Sequence, residues 1–170
     1  MAHVRHEGPA DEAGVRTLNE LAFGRTEEAN LVDALRRNGG IVLSLVAFRD
    51  ERIVGHVVFS AVKVETTSGH VVEGVALGPM AVLPELQRTS IGGHLLRLGL
   101  AQLSTDGHRF VVVLGHPDYY ARFGFEPASS RGLRWAREGH DPSFLAKELA
   151  PGGLHGVDGL VRYRPEFDAL

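Results

Sequence analysis

Cysteine is absent from the 170 residues, which excludes a disulfide framework and any thiolate zinc site. No apolar run is long enough to cross a bilayer and no charged-then-apolar leader opens the chain, so the expectation is a cytoplasmic protein with no membrane partner. Basic charge is not in excess: 18 Lys and Arg against 21 Asp and Glu give a formal charge of −3 and a pI near 6.3. That balance lacks the footprint of a nucleic-acid partner. The nine histidines hold neither a His-Glu-x-x-His pattern nor a pair at useful helical spacing, with His3 and His6 the nearest, so no metal is expected. No Gly-x-Gly-x-x-Gly follows the first predicted strand, which disfavours a Rossmann nucleotide domain.

What is present is a chain 44% hydrophobic, enough for one sizeable core, so residues 1–170 are expected to form a single domain. Period and punctuation predict a short strand over His3–Glu7 and a helix over Asp11–Phe23 with Val15, Leu18, Leu21 and Ala22 on one face. A second helix follows, from a Thr26 cap to the Asn38-Gly39-Gly40 stop. Ile41–Phe48 and Ile53–Glu65 read as a hairpin, and His70–Leu83 as a long returning strand. A helix over Thr89–Thr105, a strand over Val111–Leu114 and a short helix come next. In the tail, Leu133–Arg137 and Leu160–Tyr163 read as closing strands and Ser143–Leu149 as a short helix. The order is that of a mixed α/β layered domain.

The segment Leu77-Gly78-Pro79-Met80-Ala81-Val82-Leu83-Pro84-Glu85-Leu86-Gln87-Arg88-Thr89-Ser90-Ile91-Gly92-Gly93-His94 carries the most chemistry. It reads as an interrupted strand entering an amphipathic helix whose leucines 95, 96, 98, 100 and 103 anchor it on a sheet. A helix's first-turn N–H groups lack intrahelical partners, and with the axial dipole they favour an anion where glycine leaves the backbone uncovered. Gly78-Pro79 inside an apolar run predicts a bulge that splays the sheet and frees backbone for an acyl carbonyl; a strand continuous from Gly78 to Val82 would argue against the bulge and the carbonyl site together.

Val82-x-Pro84 followed by Gln87-x-x-Ser90-x-Gly92 resembles the pyrophosphate motif of the GNAT superfamily of N-acetyltransferases, Arg/Gln-x-x-Gly-x-Gly/Ala, with Ser90 where the family has its first glycine. Independently, Val111-Val112-Val113-Leu114-Gly115-His116-Pro117-Asp118-Tyr119-Tyr120-Ala121-Arg122-Phe123-Gly124-Phe125 resembles the family's fifth strand and fourth helix, with Tyr120 four residues before the Gly-Phe pair. Residues 41–125 carry the resemblance most strongly. It implies a GNAT-like mixed, splayed central sheet of about seven strands flanked by helices. It also implies an enzyme that moves an acetyl group from acetyl-CoA to a primary amine, with no metal.

By the same resemblance, Met80, Ala81 and Val82 meet the pantetheine arm and acyl carbonyl, and Gln87, Arg88, Thr89, Ser90, Ile91, Gly92 and Gly93 hold the pyrophosphate. Tyr120 becomes the candidate acid for the leaving thiolate; without the resemblance it reads as an amphipathic core tyrosine. Glu73 reads as a general base or a solvated strand-end acid, and His116 as a base or an ordinary loop histidine. Asn19, Glu20 and Glu27 could face a cationic acceptor and Trp135 with Phe23 could wall it, whereas His56 reads as a packed strand residue. The acceptor is a small-molecule amine or a protein amino group, and a homodimer is left open. The alternative is a non-catalytic CoA or acyl-CoA sensor or subunit, kept alive by Ser90 and the missing base.

Overall fold

A computed structural model describes residues 2–137 and 142–170, which form two compact units; Met1 and 138–141 of the expected single domain lie outside the described residues. One unit comprises Met1–Ser60, Gly78–Ala101 and Pro165–Leu170, the other Ala61–Leu77 and Gln102–Arg164. The described residues hold nine strands rather than about seven, because the tail contributes more strand than its pattern announced.

In the first unit, β1 (His3–His6) pairs antiparallel with β2 (Ile41–Arg49), which pairs antiparallel with β3 (Arg52–Thr66). The β2–β3 turn places Asp50 and Glu51 at φ 51° and 60°, the left-handed pair that a two-residue hairpin turn requires. Alternation then assigns the faces. Val46 and Val58 form a core with Val15 of α1 (Glu12–Phe23) and Val32 of α2 (Glu27–Arg37). Glycine in the left-handed region ends α1, with Gly24 at φ 69°. Leu21, expected on the buried face, is 50% exposed: Val15 and Leu18 face the sheet and Leu21 faces water.

The opposite face carries α3 (Ile91–Thr105). Glycines on both elements let it sit close. A Cβ at Gly55 would meet Ile91 and Leu95 at 2.9 Å, and one at Gly99 would meet the Phe59 ring at 2.7 Å. Leu95, Leu96, Leu100 and Leu103 are buried as the periodicity predicts, but Leu98 is exposed. Gly99→Val should therefore force α3 away from Phe59 and cost about 1–3 kcal/mol, read as a lower urea midpoint with unchanged slope.

In the second unit, the later part of β3 pairs with β9 (Gly159–Tyr163), and β7 (Leu133–Trp135) runs parallel to β9. β4 (Val71–Val82), which begins here, runs parallel to β5 (Phe110–Leu114) from Val75↔Val111 to Leu77↔Val113. β5 is flanked by β8 (Phe144–Glu148), and β8 by the two-residue β6 (Glu126–Pro127). β8 corrects the helix expected over Ser143–Leu149. Phe144 and Ala146 point into the core beside Phe110 and Val112, and pairing on both sides outweighs the local helical pattern. Gly74 is required beneath Phe110, where a Cβ would lie 2.3 Å from the ring.

The expected break at Gly78-Pro79 takes a different form. β4 is continuous from Val71 to Val82, so the interruption is a correction. What departs from regular strand geometry is Gly78, at φ 129°, immediately after the parallel register with β5 ends at Leu77. The sheet is mixed, mostly antiparallel and splayed after that point, with helices flanking it.

Candidate active site

The turn that follows β4 is held by one backbone bond to β3 and by two of its own side chains. Leu83 N–H donates to Val54 O (3.0 Å), Gln87 Nε2 to Val82 O (3.1 Å) and Thr89 Oγ1 to Leu86 O (2.6 Å). Gln87 thus braces the loop through its side chain. Ile91 is buried and fixes the start of α3, whereas Arg88, Thr89 and Ser90 are exposed and Gly92 and Gly93 half-buried. Ser90 O accepts from His94 N–H (2.9 Å), which makes Ser90 the cap. The first-turn N–H groups of Gly92 and Gly93 then have no acceptor within the helix, and no acidic residue occupies that turn. The result is a cradle for an anion.

The left-handed residue of this loop is Arg88, at φ 63°, and not Ser90. A Cβ at Ser90 is therefore accommodated without backbone strain. Ser90→Gly should change CoA affinity by less than about threefold in calorimetric titration, since it relieves no backbone penalty. The left-handed conformation of Arg88 is not legible in its local pattern; it emerges only once the chain must turn between a braced Gln87 and a capped helix.

In the second unit the candidates His116 and Tyr120 lie just after the end of β5. Gly115 N–H donates to Ser143 O (3.0 Å), and His116 precedes α4 (Pro117–Ala121) as an exposed residue whose carbonyl accepts from Tyr120 N–H (3.1 Å). The Tyr120 ring lies over Gly115, where a Cβ would come within 2.3 Å. It also meets Phe125 edge-on at 5.4 Å and Tyr119 at 5.0 Å between centroids. Burial, aided by Tyr119, raises the Tyr120 phenol to about 12, so it carries its proton at neutral pH.

Tyr163 is a neighbour that local sequence could not identify. Burial pushes its phenol up, and charge on Tyr120 adds to the shift. Its ring packs at 6.5 Å from Phe144 and 6.2 Å from Trp135, so Trp135 belongs to an aromatic cluster of the second unit.

Glu73 is not brought to Tyr120. It is exposed near the start of β4, level with Arg109 in the parallel register, whereas Gly115 lies six residues further along, about 20 Å at strand rise. The candidate base is therefore corrected: a strand position alone did not reveal which end faces the chemistry. Asn19 is corrected too. It is fully buried, donating to Val15 O at 2.9 Å, so it does not face a substrate. Glu20 pairs with Arg16 (3.0 Å) and Glu27 with Arg25 (3.6 Å), while Phe23 remains 39% exposed.

The profile described as an acetyltransferase (GNAT) domain matches residues 3–128. The chain belongs to the GNAT family. It is 37% identical over 166 residues to the uncharacterised N-acetyltransferase YhbS of Escherichia coli K12, covering 97% of this chain and 98% of that protein. The crystal structure of E. coli YhbS in complex with CoA superposes with a TM-score of 0.92 at 38% identity, covering 98% of this chain and 92% of that one. A GNAT family acetyltransferase from Brucella melitensis in complex with acetyl-CoA gives a TM-score of 0.82 at 36% identity, covering 99% of each chain. This GNAT chain is thus an acyltransferase of the N-acetyltransferase class, and the sensor reading gives way to an enzyme. Among the described residues no helix is long and apolar enough to cross a membrane.

Proposed function

We propose that residues 1–170 work as one GNAT domain that transfers the acetyl group of acetyl-CoA to a primary amine, of a small molecule or a protein, by direct attack in the cytoplasm. The observation that carries the reading is the cradle at the start of α3, with exposed Arg88, Thr89 and Ser90, Gly92 and Gly93 N–H groups that have no acceptor within the helix, and no acidic residue in its first turn. The CoA and acetyl-CoA complexes of the two relatives support the same donor here. The chain crosses between the units after Ser60, Leu77, Ala101 and Arg164, so neither unit is a separable domain of sequence.

In this reading the backbone of Arg88 through Gly93 binds the pyrophosphate, with Gln87 and Thr89 shaping the loop. β4 is unbroken, but its pairing with β5 ends at Leu77, and on that ground the backbone of Met80, Ala81 and Val82 takes the pantetheine arm and the acyl carbonyl, where an aimed N–H stabilises the developing oxyanion. The neutral amine attacks the carbonyl carbon, a C–N bond forms and the C–S bond then breaks. The departing thiolate takes the proton of Tyr120, and the amine's proton passes to water or to exposed His116. Glu73 takes no part, and oligomeric state enters none of these steps.

The test is amine-dependent release of the CoA thiol from acetyl-CoA across a panel of primary amines, with the acetylated product identified by mass. Thiol release that no amine accelerates, from protein that binds CoA, would overturn transfer.

A further inference from the structure

Five polar side chains of the first unit form a continuous chain from helix to sheet to helix. Asn19 of α1 is fully buried, and its Nδ2 donates to Val15 O (2.9 Å) and faces His56 Nδ1 (3.4 Å). His56 of β3 is fully buried, with Nε2 2.9 Å from Ser44 Oγ of β2. Ser44 Oγ donates to Glu7 Oε1, and Glu7 Oε2 is bound by Arg36 of α2. Arg36 also reaches Asp33 (2.9 Å) and Glu12 of α1 (3.1 Å), and Arg16 joins Asp33 (2.7 Å) to Glu20 (3.0 Å).

The proton order follows from valence. Ser44 has one hydrogen and gives it to Glu7, so its oxygen accepts from His56 Nε2–H. His56 Nδ1 is then bare and accepts from Asn19. Both Asn19 amide hydrogens are used, and Oδ1 is left without a partner, a cost accepted in a fully buried place.

We propose that His56 is a positioning residue, the proton-ordered node of a clamp that seats α1 and α2 on β2 and β3 and that mild acid opens by placing a proton on Nδ1. A protonated Nδ1 points a hydrogen at the Asn19 amide, donor against donor. Turning the amide does not rescue it, because Oδ1 would then face Val15 O, acceptor against acceptor. Either orientation forfeits a buried hydrogen bond.

The charged groups fix the pH window. Burial lowers the His56 pKa below its ordinary 6.5, with Glu7 opposing and Arg36 reinforcing the shift. The folded state thus prefers neutral His56, and this contribution is complete above 6.5 and lost as pH falls below it towards the folded value. Burial raises Glu7, but His56, with Nε2 3.6 Å from Oε1, the Ser44 hydrogen bond and nearby Arg36 outweigh it and hold the carboxyl below its ordinary 4.5. The Glu7 contribution is lost only in stronger acid, so the first group to open the clamp is His56. Glu12, Glu20, Asp33 and Arg16 surround Arg36 and α1 from the helix side.

The consequence for turnover rests on the proposed transferase reading and on the sequence expectation that Glu20 of α1 and Glu27 of α2 face the acceptor amine, with half-exposed Phe23 between them. Amide exchange of α1 and α2 and the acceptor KM would be measured from about pH 7.5 to 5.5 in the full chain and in His56→Gln, a neutral amide that still donates to Ser44, while ring nitrogen shifts follow His56 in the wild type. With exchange divided by the intrinsic amide rate and the acceptor counted as neutral amine, we expect neutral, Nε2-protonated His56 at pH 7.5, falling protection of both helices in step with its protonation, and a rising KM. His56→Gln should flatten both corrected profiles.

Equal acid response in the two proteins overturns the clamp. Falling protection with unmoved KM overturns the acceptor-side assignment and leaves the clamp standing. Should His56→Gln fail to fold, the wild-type shifts decide: helices that open while His56 stays neutral, or a charged His56 at pH 7.5, overturn the proposal.

Discussion

Tyr120→Phe is expected to lower kcat by about 10–10³-fold with CoA affinity and stability near those of the wild type. The ring that packs on Gly115 and Phe125 is retained, so only the hydroxyl is lost. Because burial holds that phenol near 12, the proton-bearing form persists through neutral pH, and no loss of activity from its ionisation is expected below strongly alkaline conditions. Tyr119→Phe is the control. Its ring stands edge-on to Tyr120 at 5.0 Å, about 100° around the helix, so removing its hydroxyl should change turnover little. Comparing kcat and CoA dissociation for both variants with one good acceptor decides the matter. Unaltered turnover in Tyr120→Phe would move the proton donor to water or His116.

Gly92→Val should weaken CoA binding by about 10–100-fold, the loss of one or two charge-assisted contacts to the pyrophosphate. The substitution adds a branched side chain in the first turn of α3, where the anion must reach the backbone. Anchoring of the helix rests elsewhere, on Ile91, Leu95, Leu96 and Leu103, so the variant should still fold. A conservative change at buried Leu103, such as Leu103→Met, supplies the comparison, since it disturbs packing at the far end of the helix without touching the cradle. Titration calorimetry reads the affinity and urea unfolding the stability. Equal CoA affinity in folded Gly92→Val would remove the pyrophosphate from this turn.

Local sequence determined the features whose causes are local. Helix starts, glycine stops such as Gly24 and the uncovered first turn at Gly92-Gly93 follow from spacing and backbone permissiveness within a few residues. So does the short segment that carries Tyr120 beside Gly115, because ring and glycine belong to one turn. Tertiary structure decided what depends on partners distant in the chain. Phe144–Glu148 became a strand because β5 and β6 offered it hydrogen bonds on both sides, a contribution no local propensity contains. Glu73 went to the end of β4 away from Gly115 because parallel pairing with β5 set the register, which a single strand cannot specify. Asn19 and His56 were drawn out of solvent together because two helices closed over the same sheet face, and a buried polar group's meaning is set by the partner it finds there.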